Sequence, residues 1–410
     1  MGKGVIHLGR IALGQVAEIA SRIPPLDRRF RIGTRLHGPF PEGPFLWMHG
    51  ASMGECKMLL NLAEALQKDV PNLPKVLITT QKPEVVLHLQ SSLTQGVAGQ
   101  NCGKLEVALA PADVPWTMKK FLHRVQPVGL ILGENELWPG YLSGVKRFAK
   151  KPAVALVSGR FQKAIPGMDF SGLGFAAMQT SADLTRFQRF AARSFRGSIH
   201  EGGNWKLLKW ARGAETTCGQ SEISGQPAAS VNPDVTSFIS LHVEELPFLE
   251  KIMRQLIALN KTVVLAPRRL EEIPQFESAF RRQNVPVIQW PATAPGHISL
   301  VHTFGKVRQI LSRSESAFVG GSFHKSLGIH DFWEPLQMGV PTFVGPFCRG
   351  AESAVQNLVG QGALVRIPAD GSWPQIPADR ACGVASLSQE REKILNSYRQ
   401  LKKFVEELLK

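Results

Sequence analysis

The strongest constraint on this chain is a rhythm. Short, fully apolar runs alternate with stretches whose apolar residues recur every three or four positions. The runs are "FLWMH" (45–49), "KVLITT" (75–80), "VGLILG" (128–133), "AVALVS" (153–158), "KTVVLAP" (261–267), "PVIQW" (286–290), "SAFVGG" (316–321) and "PTFVG" (341–345). Continuous apolar runs of this length suit strands buried on both faces, as in parallel sheets. Helical patterns such as "KMLLNLAEALQK" and "DVPWTMKKFLHRVQP" separate them. The alternation predicts βαβ units. A chain of 410 residues exceeds one ordinary core. The polar, aperiodic stretch 213–234 divides it into halves of similar character. The expected class is therefore α/β, with two Rossmann-like doubly wound domains (37–212 and 235–385) facing a central cleft and joined by a linker (213–234). Residues 386–410 read as a C-terminal amphipathic helix that can pack back on the N-terminal domain, and residues 1–36 as a separate basic, amphipathic segment.

Charge narrows the partners. The net charge of +15 predicts attraction to nucleic acid, acidic lipid or a phosphorylated substrate. No zinc finger, RNP-type strand or basic region with heptads is present, which argues against nucleic acid. The five cysteines form no C-x-x-C pair, so neither a disulfide framework nor a zinc site is expected. No apolar run approaches the roughly 18 residues that span a bilayer. Near the N-terminus, Val5, Leu8, Ala12, Val16, Ile19 and Ile23 fall at helical spacing, with His7, Arg10, Gly14, Glu18 and Arg22 largely opposite. Arg28, Arg29, Arg31 and Arg35 follow. An apolar stripe beside arginines suits an anionic membrane surface. The competing reading is a helix packed on its own domain next to a solvated charge cluster.

Three constellations carry candidate chemistry. In "WMHGASMGECKMLLNLAEAL" (47–66) a strand meets a loop at Gly50 and Gly54, and Ser52 and Glu55 have the S-x-x-E spacing of a capping box. The functional alternative is that Glu55 projects into the crevice at the strand ends and accepts a proton from a substrate hydroxyl. A helix N-terminus favours the ionised form, which keeps such a base ready but weakens it. In "GENELWPG" (133–140), Glu134 and Glu136 flank Asn135 at a strand's carboxyl end, where they can accept sugar hydroxyls while Trp138 offers a ring face. The alternative is a polar loop over a buried tryptophan. In "VGGSFHKSLGIHDFWEPLQMGVPTFVGP" (319–346) a strand ends at Gly320 and Gly321, and a short helix is expected from about His330 to Met338. His330 and Glu334 would share one of its faces, its first N–H groups would hold phosphate, and Glu334 would accept from a ribose diol. The alternative is a plain i, i+4 pair. Arg268 and Arg269 follow the strand at 261–267, where they can grip a phosphate or carboxylate, and Asn204 and Lys206 stand in "GGNWK".

Together these segments resemble the Kdo (3-deoxy-D-manno-octulosonic acid) transferases, two-domain glycosyltransferases of the GT-B class. "LWMHGASMGE", "ENELWPG", "LVSGRF", "APRR", "AFVGGSF" and "GIHDFWEPLQMGVPTFVGP" occur in family order within residues 40–370. The resemblance implies an inverting, metal-independent transfer of Kdo from CMP-Kdo to a lipid A precursor, without a cofactor, at the cytoplasmic face of the bacterial inner membrane. It implies Glu55 as general base with Glu134 and Glu136 in the same cleft, and Ser52, Gly54 and Trp138 toward the acceptor. Toward the donor it implies Arg268, Gly321, Ser322, His330, Glu334, Glu352 and Lys206. The family's R-G-G-H-N reads "SLGIHD" here, its P-R-H reads "PRR", and its N-x-A-E reads "RGAE". These departures touch the donor site and keep a UDP- or GDP-sugar open as the donor. A third reading is a non-catalytic binder of anionic surfaces; it does not account for ordered motifs at strand ends. Oligomeric state is not legible.

Overall fold

In the computed structural model, residues 2–24, 27, 31–94, 104–161, 168–216, 235–372 and 380–410 are described. Arg28, Arg29 and most of the expected linker lie outside that set. The chain divides into two compact units, one of residues 1–216 with 390–410 and one of residues 217–389.

In the first unit seven parallel strands, β1 (Phe45–His49), β2 (Lys75–Thr80), β3 (Leu105–Leu109), β4 (Pro127–Gly133), β5 (Ala153–Gly159), β6 (Leu173–Met178) and β7 (Ser198–Glu201), lie in the order β3-β2-β1-β4-β5-β6-β7. The strand order reverses between β1 and β4, which pair directly from Leu46 opposite Gly129 to His49 opposite Leu132. In doubly wound sheets the loops leaving two such strands diverge and open a crevice at their carboxyl ends. Trp47, Phe121 and Tyr141 fill the core beneath, with the Trp47 ring centroid 4.8 Å from Phe121 and 5.1 Å from Tyr141.

The second unit repeats the plan. Strands β8 (Val235–Leu241), β9 (Thr262–Pro267), β10 (Val287–Gln289), β11 (Ile298–Leu300), β12 (Ser316–Val319), β13 (Thr342–Val344) and β14 (Leu364–Arg366) run parallel in the order β10-β11-β9-β8-β12-β13-β14. Its switch point lies between β8 and β12. Phe318 stacks between Phe238 and Phe343, with centroids at 4.5 and 4.8 Å. The apolar runs all became strands, but β3, β6, β7, β8, β11 and β14 are too short or carry too many charged, small or hydroxyl residues to stand out as runs. In β8, "VTSFISL", Ser237 is buried because its hydroxyl donates to Ser316 O at 3.1 Å.

The N-terminal helix (Gly2–Ser21) is docked by its polar stripe. Arg10 donates to Asp113 O at 2.9 Å and to Ser143 Oγ at 3.2 Å, and pairs with Asp113 Oδ1 at 3.3 Å. Gly14 is buried, and a Cβ there would overlap the Trp116 ring. Glu18 pairs with His37 at 3.1 Å. The apolar stripe faces away from the unit, with Leu13 69%, Val16 64% and Ile19 65% exposed. The helix therefore packs on its own unit, but through its polar side: Arg10 and Glu18 lie in the contact, and the apolar side is the free one.

Burial pushes the Asp113 carboxyl up to about 6, with Arg10 and the Gly140 N–H opposing. A carboxyl raised from its ordinary 3.8 binds its proton more tightly folded than unfolded. Its contribution to stability is therefore full below pH 4 and lost as pH rises to about 6, by up to about 3 kcal/mol. Asp113→Asn is expected to abolish that slope, so urea midpoints of wild type and variant should converge or cross between pH 4 and pH 6. Parallel profiles would refute the assignment.

Candidate active site

At the first switch point the loop after β1 turns into the helix Met53–Asp69, and both capping-box bonds form. Ser52 Oγ accepts from Glu55 N at 3.2 Å, and Glu55 Oε2 accepts from Ala51 N at 2.6 Å and Ser52 N at 2.8 Å. All of the capping falls on one carboxylate oxygen. Among the described residues no group donates to Glu55 Oε1, so the cap leaves one oxygen of the same side chain for other chemistry.

Two further carboxylates arrive from the loop after β4. Glu134 is buried in a left-handed backbone conformation (φ 46°), rare for a residue with a side chain. Its N–H donates to Val157 O at 3.0 Å and its carbonyl accepts from Arg160 N at 3.3 Å, which hold it there. Lys206 Nζ stands 2.6 Å from Glu134 Oε1, and Arg160 NH1 lies 3.3 Å from Oε2. Glu136 accepts from Trp138 Nε1 at 2.6 Å, and His49 Nε2 lies 3.3 Å from the same oxygen. His49, the last residue of β1, is fully buried and anchored on Thr79 Oγ1 at 3.0 Å. Lys206 also passes over Gly54, where a Cβ would sit 3.4 Å from its Cε. A side chain at 54 would crowd the lysine.

The three carboxylates have separate electrostatic fates. Burial pushes the Glu55 carboxyl up, and the Glu134 and Glu136 charges add to the rise, against the Ser52 and Ala51 N–H groups. Burial also raises Glu136, but the bonds from His49 and Trp138 outweigh it and hold that carboxyl below its ordinary value. Glu134 is paired with two cations. Thus Glu55 is raised while Glu136 is lowered, and the other two carboxylates are locked in pairs. The helix N-terminus was expected to weaken Glu55 as a base; burial, with the charges of its neighbours, outweighs that.

The structure brings Glu55, Glu134, Glu136, Ser52, Gly54, Trp138 and Lys206 into one cluster. Lys206, expected toward the donor, stands here because Asn204 Oδ1 accepts from its N–H at 3.1 Å and caps the turn Trp205–Leu207. Glu390 of the C-terminal helix in turn accepts from Asn204 N at 2.6 Å. Trp138 is half-buried, with its N–H committed to Glu136.

The second switch point differs from expectation in three ways. The helix there is Trp333–Gln337, so His330 lies in the loop ahead of it and shares no helical face with Glu334. The Trp333 N–H donates to Asp331 Oδ1 at 2.9 Å, so a carboxylate already caps the expected phosphate position. The loop after β12 is likewise occupied: the buried Glu245 carboxylate accepts from Phe323 N and His242 N, both at 2.9 Å, and from Gly321 N. Ser322 is fully buried; its hydroxyl donates to Val319 O at 2.6 Å and accepts from Gly345 N at 2.8 Å. It is structural. Gly321 is required by the turn, at φ 77° with a Cβ position blocked by Gly328 O.

His330 meets His242, which follows β8, at 2.9 Å between the Nε2 atoms. Burial, then nearby positive charge led by Arg268, depresses His330 to about 4, so it is neutral at physiological pH. Arg268 is exposed and close enough to His330 to contribute to that shift. Glu334 stands near Asp331 and Arg308, its carboxyl raised chiefly by burial, and Glu352 accepts from Gly350 N at 3.1 Å.

Residues 25–207, which include the whole carboxylate cluster except Glu390's support, match the family model for 3-deoxy-D-manno-octulosonic-acid transferases, the Kdo transferases. Similar proteins extend the likeness into the second half. The Kdo transferase of Chlamydia pneumoniae is 23% identical over 337 residues, 78% of this chain and 74% of that protein. The chain is thus similar to Kdo transferases along most of its length. The Kdo transferase of Bordetella pertussis is 25% identical over 351 residues, 82% of this chain and 79% of that protein. Among solved structures, Acinetobacter baumannii MurG has a TM-score of 0.50 at 10% identity, covering 88% of this chain and 99% of that one, which bears on the fold alone. Each of its two units is a doubly wound α/β domain of the kind found in GT-B glycosyltransferases.

The two switch points also use residues that sequence reading passed over: His49, Arg160, His242, Glu245 and Glu272. A signal existed. "LWMH" and "FISLH" both place a histidine at the end of a first strand or just past it, and each is followed by a glutamate that turns back on the loop, Glu55 and Glu245. The halves repeat one device, a carboxylate holding the backbone of the first βα turn.

Proposed function

We propose that this chain transfers Kdo from CMP-Kdo to a hydroxyl of a lipid A precursor with inversion, without a metal ion in the step, and with Glu55 as general base. The observation that carries this is the division of labour in the Glu55 carboxylate. Oε2 is fixed by two backbone N–H groups, which aims the side chain, while Oε1 is open and the neighbouring carboxylates raise its basicity. In an inverting step the acceptor hydroxyl attacks the anomeric carbon from the face opposite the leaving CMP. The hydroxyl proton becomes acidic only as that bond forms, so a moderately basic carboxylate suffices. Lys206 and Arg160 pair with Glu134, and His49 and Trp138 hold Glu136 ionised, which leaves Glu55 for the acceptor proton. In the second unit Arg268 answers the anionic donor.

The test is release of CMP from CMP-Kdo, which should require a lipid A precursor. Thermal shift should rank CMP above UDP and GDP, because a ligand raises stability by RT ln(1 + [L]/Kd). A higher ranking of UDP or GDP would overturn the donor, and acceptor-independent release would overturn the transfer.

The outward apolar stripe of the N-terminal helix supports peripheral attachment to an anionic membrane at its cytoplasmic face. Among the described residues no helix is long and apolar enough to cross a membrane. Leu13, Val16 and Ile19 lie free on one side, and the chain's +15 charge favours acidic headgroups. Val16→Asp with Ile19→Asp should abolish co-sedimentation with anionic vesicles while leaving CMP affinity unchanged. Undiminished vesicle binding would refute this role.

A further inference from the structure

His242 and His330 pose a proton-counting problem whose answer decides what the second unit can bind. Their Nε2 atoms are 2.9 Å apart, with ring centroids at 5.0 Å and planes tilted by 35°. At that distance one nitrogen must carry a proton and the other a lone pair. The tie is broken at the far side of His242. Its Nδ1 is buried, has no hydrogen-bond partner among the described residues, and lies 3.5 Å from Glu272 Oε1. Glu272 is itself buried and held by Val243 N at 3.2 Å and Arg269 NH1 at 3.4 Å. A bare lone pair facing a buried carboxylate is repelled, whereas an N–H there is attracted. An imidazolium at His242 would share one carboxylate with the Arg269 guanidinium, which places two cations on a single buried anion.

We propose that Glu272 and His242 are positioning residues that hold His330 as the Nε2–H tautomer and so present its Nδ1 as a lone-pair acceptor to the bound ligand. The proton order runs from Glu272 to His242 Nδ1–H, then from His330 Nε2–H to His242 Nε2. The His330 ring is pinned for this. Its backbone N–H donates to Gly320 O at 3.0 Å, and its Cδ2 edge packs against Gly321, 3.1 Å from where a Cβ would stand. Nδ1 is on the opposite edge of the ring, and among the described residues no group hydrogen-bonds it. Burial and the nearby arginines keep the ring neutral.

A neutral acceptor nitrogen takes an O–H or N–H donor and rejects phosphate and carboxylate oxygens. Resting on the CMP-sugar reading, this assigns His330 to a ribose hydroxyl or to the exocyclic amine of the base. The anionic groups are left to Arg268. It also accounts for the Glu245 carboxylate on the Gly321 and Phe323 N–H groups: this loop is not a phosphate cradle.

The test is a two-bond proton–nitrogen spectrum of the full chain labelled with 15N-histidine, near pH 8, with His242→Gln and His330→Gln for assignment. The expected pattern is a protonated Nε2 on His330 and a protonated Nδ1 on His242. CMP should shift His330 Nδ1, and inorganic phosphate should not. Glu272→Gln should scramble both tautomers and weaken CMP about ten-fold, the order of one lost hydrogen bond, and Glu272→Asp should restore both. A protonated His330 Nδ1, a doubly protonated His242, or tautomers unmoved in Glu272→Gln would overturn the proposal. So would micromolar Zn²⁺ or Mn²⁺ shifting His242, since His242, Glu244 and Glu272 bring ligand atoms within 4.8 Å of one another and a cation could replace the proton. The expected tautomers with no response to CMP would support the relay and overturn the CMP reading instead.

Discussion

Glu55→Gln is expected to lower the rate of acceptor-dependent CMP release by about a thousand-fold, within the range typical of a lost general base. CMP affinity should stay within about two-fold, because Glu55 belongs to the first unit and the CMP-binding residues proposed here to the second. The fold should also survive the change. Glutamine is the other residue that closes a capping box, since its amide oxygen can accept from Ala51 N and Ser52 N as Oε2 does now. Glu55→Ala would lose both roles and should cost about 1 kcal/mol of stability in addition. Comparing the two variants separates cap from base. Retention of more than a tenth of the activity in Glu55→Gln would remove it as the base. The pH profile supplies a second reading. A base must be ionised to act, and burial beside Glu134 raises the Glu55 carboxyl, so the acid limb of kcat/KM should lie above the ordinary glutamate range. Glu134→Gln removes one of the two raising charges and should move that limb to lower pH.

The second large effect is on stability. Glu245→Leu removes a fully buried carboxylate that accepts from His242 N, Phe323 N and Gly321 N. Each stranded buried donor costs about 1–3 kcal/mol, so with three of them the variant should lose about 3–9 kcal/mol. The loss belongs to the second unit. Hydrogen exchange should accelerate through β8, β12 and β13 while β1, β2 and β4 keep their protection. A chain of two compact units need not unfold in one step, so the urea transition should split, with the second unit melting first. Glu245→Gln keeps one acceptor oxygen and should recover part of the loss. A change under 1 kcal/mol in the leucine variant would show that the loop holds without its carboxylate.

Both predictions turn on a glutamate that follows a first strand, yet only one was legible. Glu55 stands out because Ser52, Gly50 and Gly54 surround it with recognisable turn chemistry. Glu245 follows His242 in "LHVEELP", where no serine or glycine flags a loop, and its partner Phe323 is 78 residues away. The N-terminal helix teaches a related lesson. Spacing separated its polar and apolar stripes correctly, but not which of them faces the protein. Arg10 meeting Asp113 decided that, a contact over 103 residues. The His330 helix failed for a local reason: Asp331 bonds to the Trp333 N–H and delays the helix start by three residues relative to the spacing.

Local pattern thus determined the class of each segment, the two-fold repetition of a doubly wound sheet, and the strand ends at which polar residues gather. Those follow from backbone geometry, which acts over a few residues and writes itself into periodicity. Only the tertiary structure decided the electrostatics. Glu55 became a candidate base because burial and the turn after β4, which delivers Glu134 and Glu136 beside it, raise its carboxyl, while Lys206 and Arg160 pair with Glu134 and His49 and Trp138 hold Glu136. Ser322 and Glu245 became structural because strands far apart in sequence close over them. A side chain's basicity and its freedom to meet a ligand depend on what burial brings within a few ångströms, and sequence spacing does not encode that distance.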